Sequence, residues 1–246
     1  MDDHPADLRF DVPHSARIWN HWLGGTDNFA ADRAAGDAVV EQYPQVRLLA
    51  RESRQFLVRA VRFLAGAAGV DQFLDIGAGL PTMENTHQVA QGINPASRVV
   101  YVDNDPLVLV HARALLADST PEGATTYIRA DVREPGSLIE QARRHLDFDR
   151  PVAVMLLGVM GDATPDPDDM KAVVRTLMAA VPPGSHLALG DGAATRAGRQ
   201  PEQIAECFAG LKLVEPGVVS VTRWRPDAES AVLEDLPAVA GVARKP

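Results

Sequence analysis

Residues 73–82 read FLDIGAGLPT. Phe73, Leu74 and Ile76 have the apolar character of a buried parallel strand, with Asp75 near its end. Gly77 and Gly79, one residue apart, let the chain turn sharply and let a ligand lie against bare backbone. Pro81 and Thr82 suit the opening of a helix, because proline fits the first helical turn and threonine caps free amides. Strand, glycine turn and helix in this order describe the turn of a nucleotide site.

Outward from this stretch the pattern alternates. RVVYVDND, TTYIRADV, PVAVMLLGVM and HLALGDG read as strands; the near-continuous apolar run of the third marks burial on both faces. TMENTHQVAQGI, PLVLVHARALLAD, SLIEQARRHL, DPDDMKAVVRTLMAAV and PEQIAECFAGL read as the intervening helices. The tail offers extended segments in LKLVEPGVVSVTRW and AVAGVARK. Such alternation predicts an α/β fold with a doubly wound, mostly parallel sheet. No strand signal precedes residue 72, so residues 1–68 are expected to form a helical extension and 69–246 the sheet domain. Within the extension, Ser15 is a cap for a short helix ended by Gly24-Gly25, and Asp27 or Asn28 for a second ended near Pro44. A third helix over roughly 45–68 carries arginines from Arg47 to Arg62, read as a solvated face, with Arg51 or Arg54 as the sharper alternative for meeting a ligand carboxylate.

Composition narrows the class. The 246-residue chain is 46% hydrophobic and carries a net charge of −9, against the basic excess of a phosphate-backbone binder, so nucleic acid is not the expected partner. One cysteine, Cys207, allows no internal disulfide and no cysteine-based zinc site. No apolar run approaches the ~20 residues of a membrane span, and the acidic N-terminus is unlike a signal peptide, so a cytoplasmic protein is expected. His87 and His111 lie on predicted helices without partners at metal-ligand spacing, and no metal is proposed.

In doubly wound sheets ligands sit beyond the carboxyl ends of the strands, where strand order reverses. Here those ends carry Asp75 with Gly77, Ala78 and Gly79, then Asp103-Asn104-Asp105, then Asp131-Val132, then Gly158 to Asp162. Asp103 lies 28 residues after Asp75 (103 − 75) and can accept from both hydroxyls of a ribose. Asp131 suits an adenine amino group, the Val132 amide a ring nitrogen, and Leu107 or Val132 the adenine face. A dinucleotide asks for something else: a third glycine, free amides at the helix start and an acid roughly 20 residues on. Thr82 and Pro81 break that pattern. A ligand without phosphate tolerates these departures, and S-adenosylmethionine therefore fits better than NAD.

LDIGAGLPT, VVYVDNDPLVL, ADVREP, PPGSHLAL and the closing GVARKP resemble class I S-adenosylmethionine-dependent methyltransferases. More narrowly, RIWNHWLGGTDNFAADR with QFLDIGAGLPTMENTHQVAQ resembles a bacterial family of S-adenosyl methyltransferases of unassigned substrate. The resemblance implies a Rossmann-like, seven-stranded sheet with one antiparallel strand, AVAGVARK beside a strand near 211–224. It also implies cofactor contacts at Asp75, Gly77, Gly79, Asp103, Asn104, Asp131 and Val132, to which Ala78 and Gly158 are added from their places at strand ends. Pro81 departs from the general motif and agrees with the narrower one.

The expected activity is methyl transfer to a small-molecule oxygen, nitrogen or carbon nucleophile. Two alternatives stay open: a non-catalytic S-adenosylmethionine-binding or sensing protein, and an NAD-dependent oxidoreductase. GVMGDATPD, after the fourth strand, lacks an Asn-Pro-Pro-Tyr-like signature and disfavours an adenine or glutamine amide acceptor. His21, Asp27 and Asp162 are the weak candidates for a catalytic base, and an in-line displacement can do without one. Residues 15–35 are expected to close over the cofactor, while Trp19, Trp22 and Phe29 read mainly as core.

Overall fold

The computed structural model describes residues 9–81, 84–115, 120–164, 166–192, 198–227 and 233–246. Three helices come first: α1 (Ser15–Trp22), α2 (Ala30–Gln42) and α3 (Val46–Arg62), the last continuing through a π-helical turn at Phe63–Ala67. Their caps differ from those expected. His14 rather than Ser15 opens α1, its Nδ1 accepting from the Ala16 amide at 3.3 Å. Neither Asp27 nor Asn28 caps α2; Phe29 precedes it, and the Asp32 carboxylate reaches back to the Phe29 amide at 2.8 Å. Asp32 also accepts from the His14 amide at 2.9 Å, so one carboxylate ties the starts of both helices together.

The alternating part follows as β1 (Gln72–Ile76), α4 (Thr86–Ile93), β2 (Arg98–Asp103), α5 (Pro106–Leu115), β3 (Ala124–Arg129), α6 (Pro135–Ala142) and β4 (Ala153–Leu157). It continues with α7 (Met160–Ala163), α8 (Pro167–Ala180), β5 (His186–Gly192), α9 (Pro201–Glu206), β6 (Lys212–Leu213), β7 (Val219–Ser220) and β8 (Ala238–Arg244). Strand order is β3-β2-β1-β4-β5-β8-β6, with β7 also paired to β8. Strands β1 to β5 run parallel, and β8 is antiparallel to β5, β6 and β7. The closing AVAGVAR is thus the antiparallel strand. Its expected partner near 211–224 is instead two short pieces, because Pro216 has no amide to give a ladder and Gly217 (φ +92°) turns the chain. Pro81 does not open a helix: α4 begins at Thr86, after Asn85, whose amide the Gln88 side chain accepts at 2.8 Å. Thr82 lies outside the described residues.

All residues of β1 and β5 are buried, because helices cover both faces of the sheet. Side-chain alternation divides them. Leu74, Ile76, Val100, Val102, Leu156 and Leu189 pack against α6, α8 and α9. Phe73, Val99, Tyr101, Met155, Ala188 and Val242 pack against Phe56 and Val61 of α3 and Leu64 of the π-helical turn. Each such large side chain is worth about 1.5–3 kcal/mol on burial. The arginines of α3 divide accordingly. Arg47, Arg51 and Arg62 are exposed, as a solvated face requires, but Arg59 is buried and donates to the carbonyls of Trp224 (3.0 Å) and Val221 (2.6 Å). Cys207 is buried, and burial pushes its thiol up to about 11, which suits a packed and unreactive residue.

His186 opens β5 as a strand-start residue, 4% exposed. Burial, aided by the charge of Arg244, lowers its imidazole to about 4. The folded state therefore holds it neutral, and the stability this gives is complete above the unfolded value near 6.5 and is lost as pH falls from there to about 4. Urea unfolding at pH 7.5 and 4.5 is expected to differ by at most about 3 kcal/mol from this group. In His186→Leu that difference shrinks; an unchanged pH dependence would assign the acid loss elsewhere.

Candidate functional site

Strand order reverses between β1 and β4, and a cleft of about 280 Å3 opens there beyond the strand ends. Its floor is the glycine turn after β1. The Gly77 amide donates to the Val102 carbonyl at 2.8 Å, which folds the turn back over β2. Gly77 has φ +75°, and a Cβ there would come within 2.4 Å of the Val159 side chain, so both backbone and space demand glycine.

Asp103 ends β2, 8% exposed. Its Oδ2 accepts from the Gly79 amide at 2.8 Å and its Oδ1 from the Asp105 amide at 2.9 Å. Burial raises its carboxyl, and the two amide bonds oppose the rise. Asp75 is more deeply placed, accepting from Thr86 Oγ1 at 2.6 Å; burial raises it too, against the Thr86 bond and the charge of Arg54. Arg54, on α3, borders the same cleft and donates to the Glu84 carbonyl (2.9 Å) and to Asn85 Oδ1 (3.1 Å). Of the two arginines singled out as alternatives, Arg54 reaches the cleft and Arg51 is exposed outside it.

Asp131, Val132 and Asn104 line the opposite end. Arg133 grips Asp131 from two residues away, Nε to Oδ1 at 2.9 Å and Nη2 to Oδ2 at 2.5 Å, and this bond lowers the carboxyl to about 2. Asn104 adds a 3.4 Å bond to Oδ2. Ala78, Gly79 and Gly158 are also wall residues, whereas Leu107 packs away with Ala16, Leu80 and Val108.

Helix α1 roofs the cleft with Ala16, Trp19 and Asn20. It is held by Arg17, 3% exposed, which forks onto the fully buried Asp105 with bonds of 2.9 and 3.2 Å; His14 Nδ1 stands 3.3 Å from the same carboxylate. Asn20, Asn28 and Arg33 form a network beside Gly24-Gly25. Asn28 Nδ2 donates to Asn20 Oδ1 and the Gly25 carbonyl, both at 2.9 Å, and Arg33 donates to the Asn28 carbonyl at 2.9 Å. Trp22 is core, as expected, with Nε1 donating to the Gly36 carbonyl at 3.1 Å. Trp19 instead lies in the cleft wall against Gly158, where a Cβ would meet its ring at 3.3 Å.

A second cavity of about 810 Å3 adjoins the first, and Trp19, Ser53, Gly158 and Asp162 border both. Of the three catalytic candidates, Asp162 stands at this boundary. His21 pairs with Asp37 at 2.9 Å and Asp27 faces His111 at 3.5 Å, and neither borders either cavity. Asp105 is legible as an acid at a strand tip, but its pairing with Arg17, and His14 beside it, escape sequence reasoning because 88 residues separate Arg17 from its partner. Among the described residues there is no cluster of side chains able to hold a metal, and no helix long and apolar enough to cross a membrane.

The donor set suits an adenosine bearing an amino acid: paired acids at the strand tips, open backbone over the turn, and an arginine beside a buried aspartate. Comparison with known proteins agrees. A structure of a DUF574 family protein from Streptomyces avermitilis MA-4680 is 41% identical, covers 96% of this chain and 99% of its own, and superposes with a TM-score of 0.87. A candidate methyltransferase from Thermobifida fusca YX is 42% identical over 99% of both chains, with a TM-score of 0.89. The plantazolicin methyltransferase, solved in complex with SAH (S-adenosylhomocysteine), is 9% identical over 94% of this chain and 95% of its own; its TM-score of 0.51 speaks for the fold alone. No curated protein matches the sequence. The family model described as S-adenosyl methyltransferase spans residues 1–246, so the chain belongs to that family and is an S-adenosylmethionine-dependent methyltransferase.

Proposed function

We propose that the protein methylates an oxygen, nitrogen or carbon nucleophile of a small molecule, with the methyl donor in the glycine-turn cleft and the acceptor in the adjoining cavity. The observation that carries this is the shared wall: Trp19, Ser53, Gly158 and Asp162 border both spaces, so two ligands can meet there. When bound, S-adenosylmethionine supplies a methyl whose carbon–sulfur bond breaks, its electron pair passing to sulfur, as the acceptor's lone pair forms the new bond.

The chain's own residues then have distinct tasks. Asp103 accepts from the ribose hydroxyls, with Asn104 beside it. Asp131 and the Val132 amide take the adenine edge, and Gly77, Ala78, Gly79 and Gly158 present backbone to the donor. Asp75 holds the amino group and Arg54 the carboxylate of the amino-acid portion, an arrangement favoured by the pairing of a buried acid with a neighbouring guanidinium. A hydroxyl acceptor must shed a proton, which we assign to Asp162; an amine can release its proton to water. Residues 1–68 act as the extension that roofs the donor and 69–246 as the domain that binds it, in a cytoplasmic protein. His21 and Asp27, paired elsewhere, have no part in this assignment.

Calorimetric titration with S-adenosylmethionine, S-adenosylhomocysteine and NAD tests the cleft. The first two bind and NAD does not. Arg54→Ala weakens both by about 10–30-fold, the size of one charge-assisted hydrogen bond in a half-open site, and Arg54→Lys falls between. Equal binding of NAD would overturn the proposal, and unchanged affinity in Arg54→Ala would remove Arg54 from it.

A further inference from the structure

The second cavity has a chemistry of its own. Its volume, about 810 Å3, lies within the range of small-molecule pockets. Helices α1, α2 and α3, with Tyr43 between the last two, give it an apolar and aromatic wall that includes Trp22, Val46, Leu49 and Phe56. The far side is small and smooth, formed by Gly190, Gly192 and Ala238 at the ends of β5 and β8. Burying an apolar molecule here gains free energy in proportion to the area removed from water.

Charge narrows the occupant further. The ionisable wall residues are His14, Tyr43, Asp162 and Asp191; no lysine or arginine is among the described ones. Asp191, 3% exposed, is already paired with the buried Arg199 at 2.7 Å, so that cation is committed outside the cavity wall. The donor cleft differs, with Arg54 and Arg133 in its wall. An anion entering the second cavity would lose water and gain no counter-charge from a lysine or arginine among the described wall residues.

We infer that this cavity takes an uncharged or cationic, largely apolar molecule bearing an aromatic ring. The inference rests on the reading of the adjoining cleft as the donor site and names the acceptor class for it. Carboxylates, phosphates and sulfonates are excluded from that class.

The test uses the full chain saturated with S-adenosylhomocysteine and two fluorescent probes of similar size. Uncharged 1-aminoanthracene is expected to bind saturably, one per chain, and anionic 1-anilinonaphthalene-8-sulfonate at least about tenfold more weakly. Val39→Trp fills the cavity from the half-buried face of α2 and abolishes probe binding; Gln42→Trp, at an exposed wall position, does the same should the first variant fold poorly. Affinity for S-adenosylhomocysteine stays at the wild-type value in every variant that folds. The inference is overturned by absence of saturable 1-aminoanthracene binding, by equal or tighter binding of the anionic probe, or by a filled cavity that still binds. If the wild type fails to bind S-adenosylhomocysteine, the donor reading is lost instead, and the same titrations without it still decide what the cavity accepts.

Discussion

Asp103→Ala weakens S-adenosylhomocysteine binding by about 100-fold, measured calorimetrically at neutral pH. The expectation follows from a count of lone pairs. A carboxylate offers about four acceptor sites. In this protein Asp103 gives one to the Gly79 amide and one to the Asp105 amide, leaving two for the two hydroxyls of a ribose. Each bond to a charged acceptor is worth about 1.5–3 kcal/mol, and the pair sums to the predicted loss with allowance for the desolvation of the carboxylate. Alanine also strands the Gly79 and Asp105 amides, so the glycine turn loosens and the melting temperature falls. Asp103→Asn separates these effects. It keeps an acceptor oxygen for the turn, melts close to wild type, and still loses roughly tenfold or more in affinity because the charge is gone. Wild-type affinity in both variants would mean that the sugar is held elsewhere, and the assignment of the whole cleft would fall with it.

Asp103 and the glycine turn were legible in the sequence because their signals are local. An acid at a strand tip and glycines at fixed offsets follow from the geometry of one crossover, and the alternation of apolar strands and helices fixed the sheet that carries them. What was not legible depended on contacts between distant segments. Arg54 sits in a helix with arginines at many positions, and helical periodicity alone does not say which of them turns toward the cleft and which, like Arg59, is buried against the carbonyls of Val221 and Trp224. Trp19 and Tyr43 have the composition of core residues, and only the placement of α1 to α3 against the ends of β5 and β8 makes them walls of a cavity. The strand expected within 211–224 was misread as continuous because apolar residues flank Pro216 on both sides, while the missing amide and the turn at Gly217 cut it into β6 and β7. Caps were misread for a related reason: several polar residues compete for the same free amides, and the winners, His14 and Asp32, are chosen by how α1 and α2 dock on each other.

The docking of α1 gives the second large effect. Arg17→Ala is expected to cost about 3–5 kcal/mol, because it leaves a carboxylate buried without the cation that compensates it. Asp105 has no exposed surface, and Arg17 meets it through Nε and Nη2 of its guanidinium. The remaining partners are the Leu107 amide at 2.9 Å and His14 at 3.3 Å, and neither replaces a full charge. The loss has a ceiling. If α1 detaches, water reaches Asp105, so the cost cannot exceed the free energy with which α1 is docked. Hydrogen exchange should therefore rise first in residues 15–22 while β1, β4 and β5 stay protected, and S-adenosylhomocysteine affinity should fall because Ala16, Trp19 and Asn20 no longer roof the cleft. Arg17→Met with Asp105→Asn recovers at least half of the loss, since an uncharged amide can still cap α5 without an unpaired charge. The pair also has a pH signature distinct from that of His186. Burial raises the Asp105 carboxyl, but the Arg17 bond, the Leu107 amide and the charges of His14 and Arg17 together bring it below its ordinary value. Its stabilisation is complete above the unfolded carboxylate range near 3.9 and is lost only as pH falls through the lower folded value. Wild-type α1 should thus stay protected from exchange at pH 4.5, where His186 has already begun to charge, and open only below about pH 4. Exchange in residues 15–22 that rises between pH 6.5 and 4.5, or an Arg17→Ala variant within about 1 kcal/mol of wild type, would show that something other than this ion pair holds the roof in place.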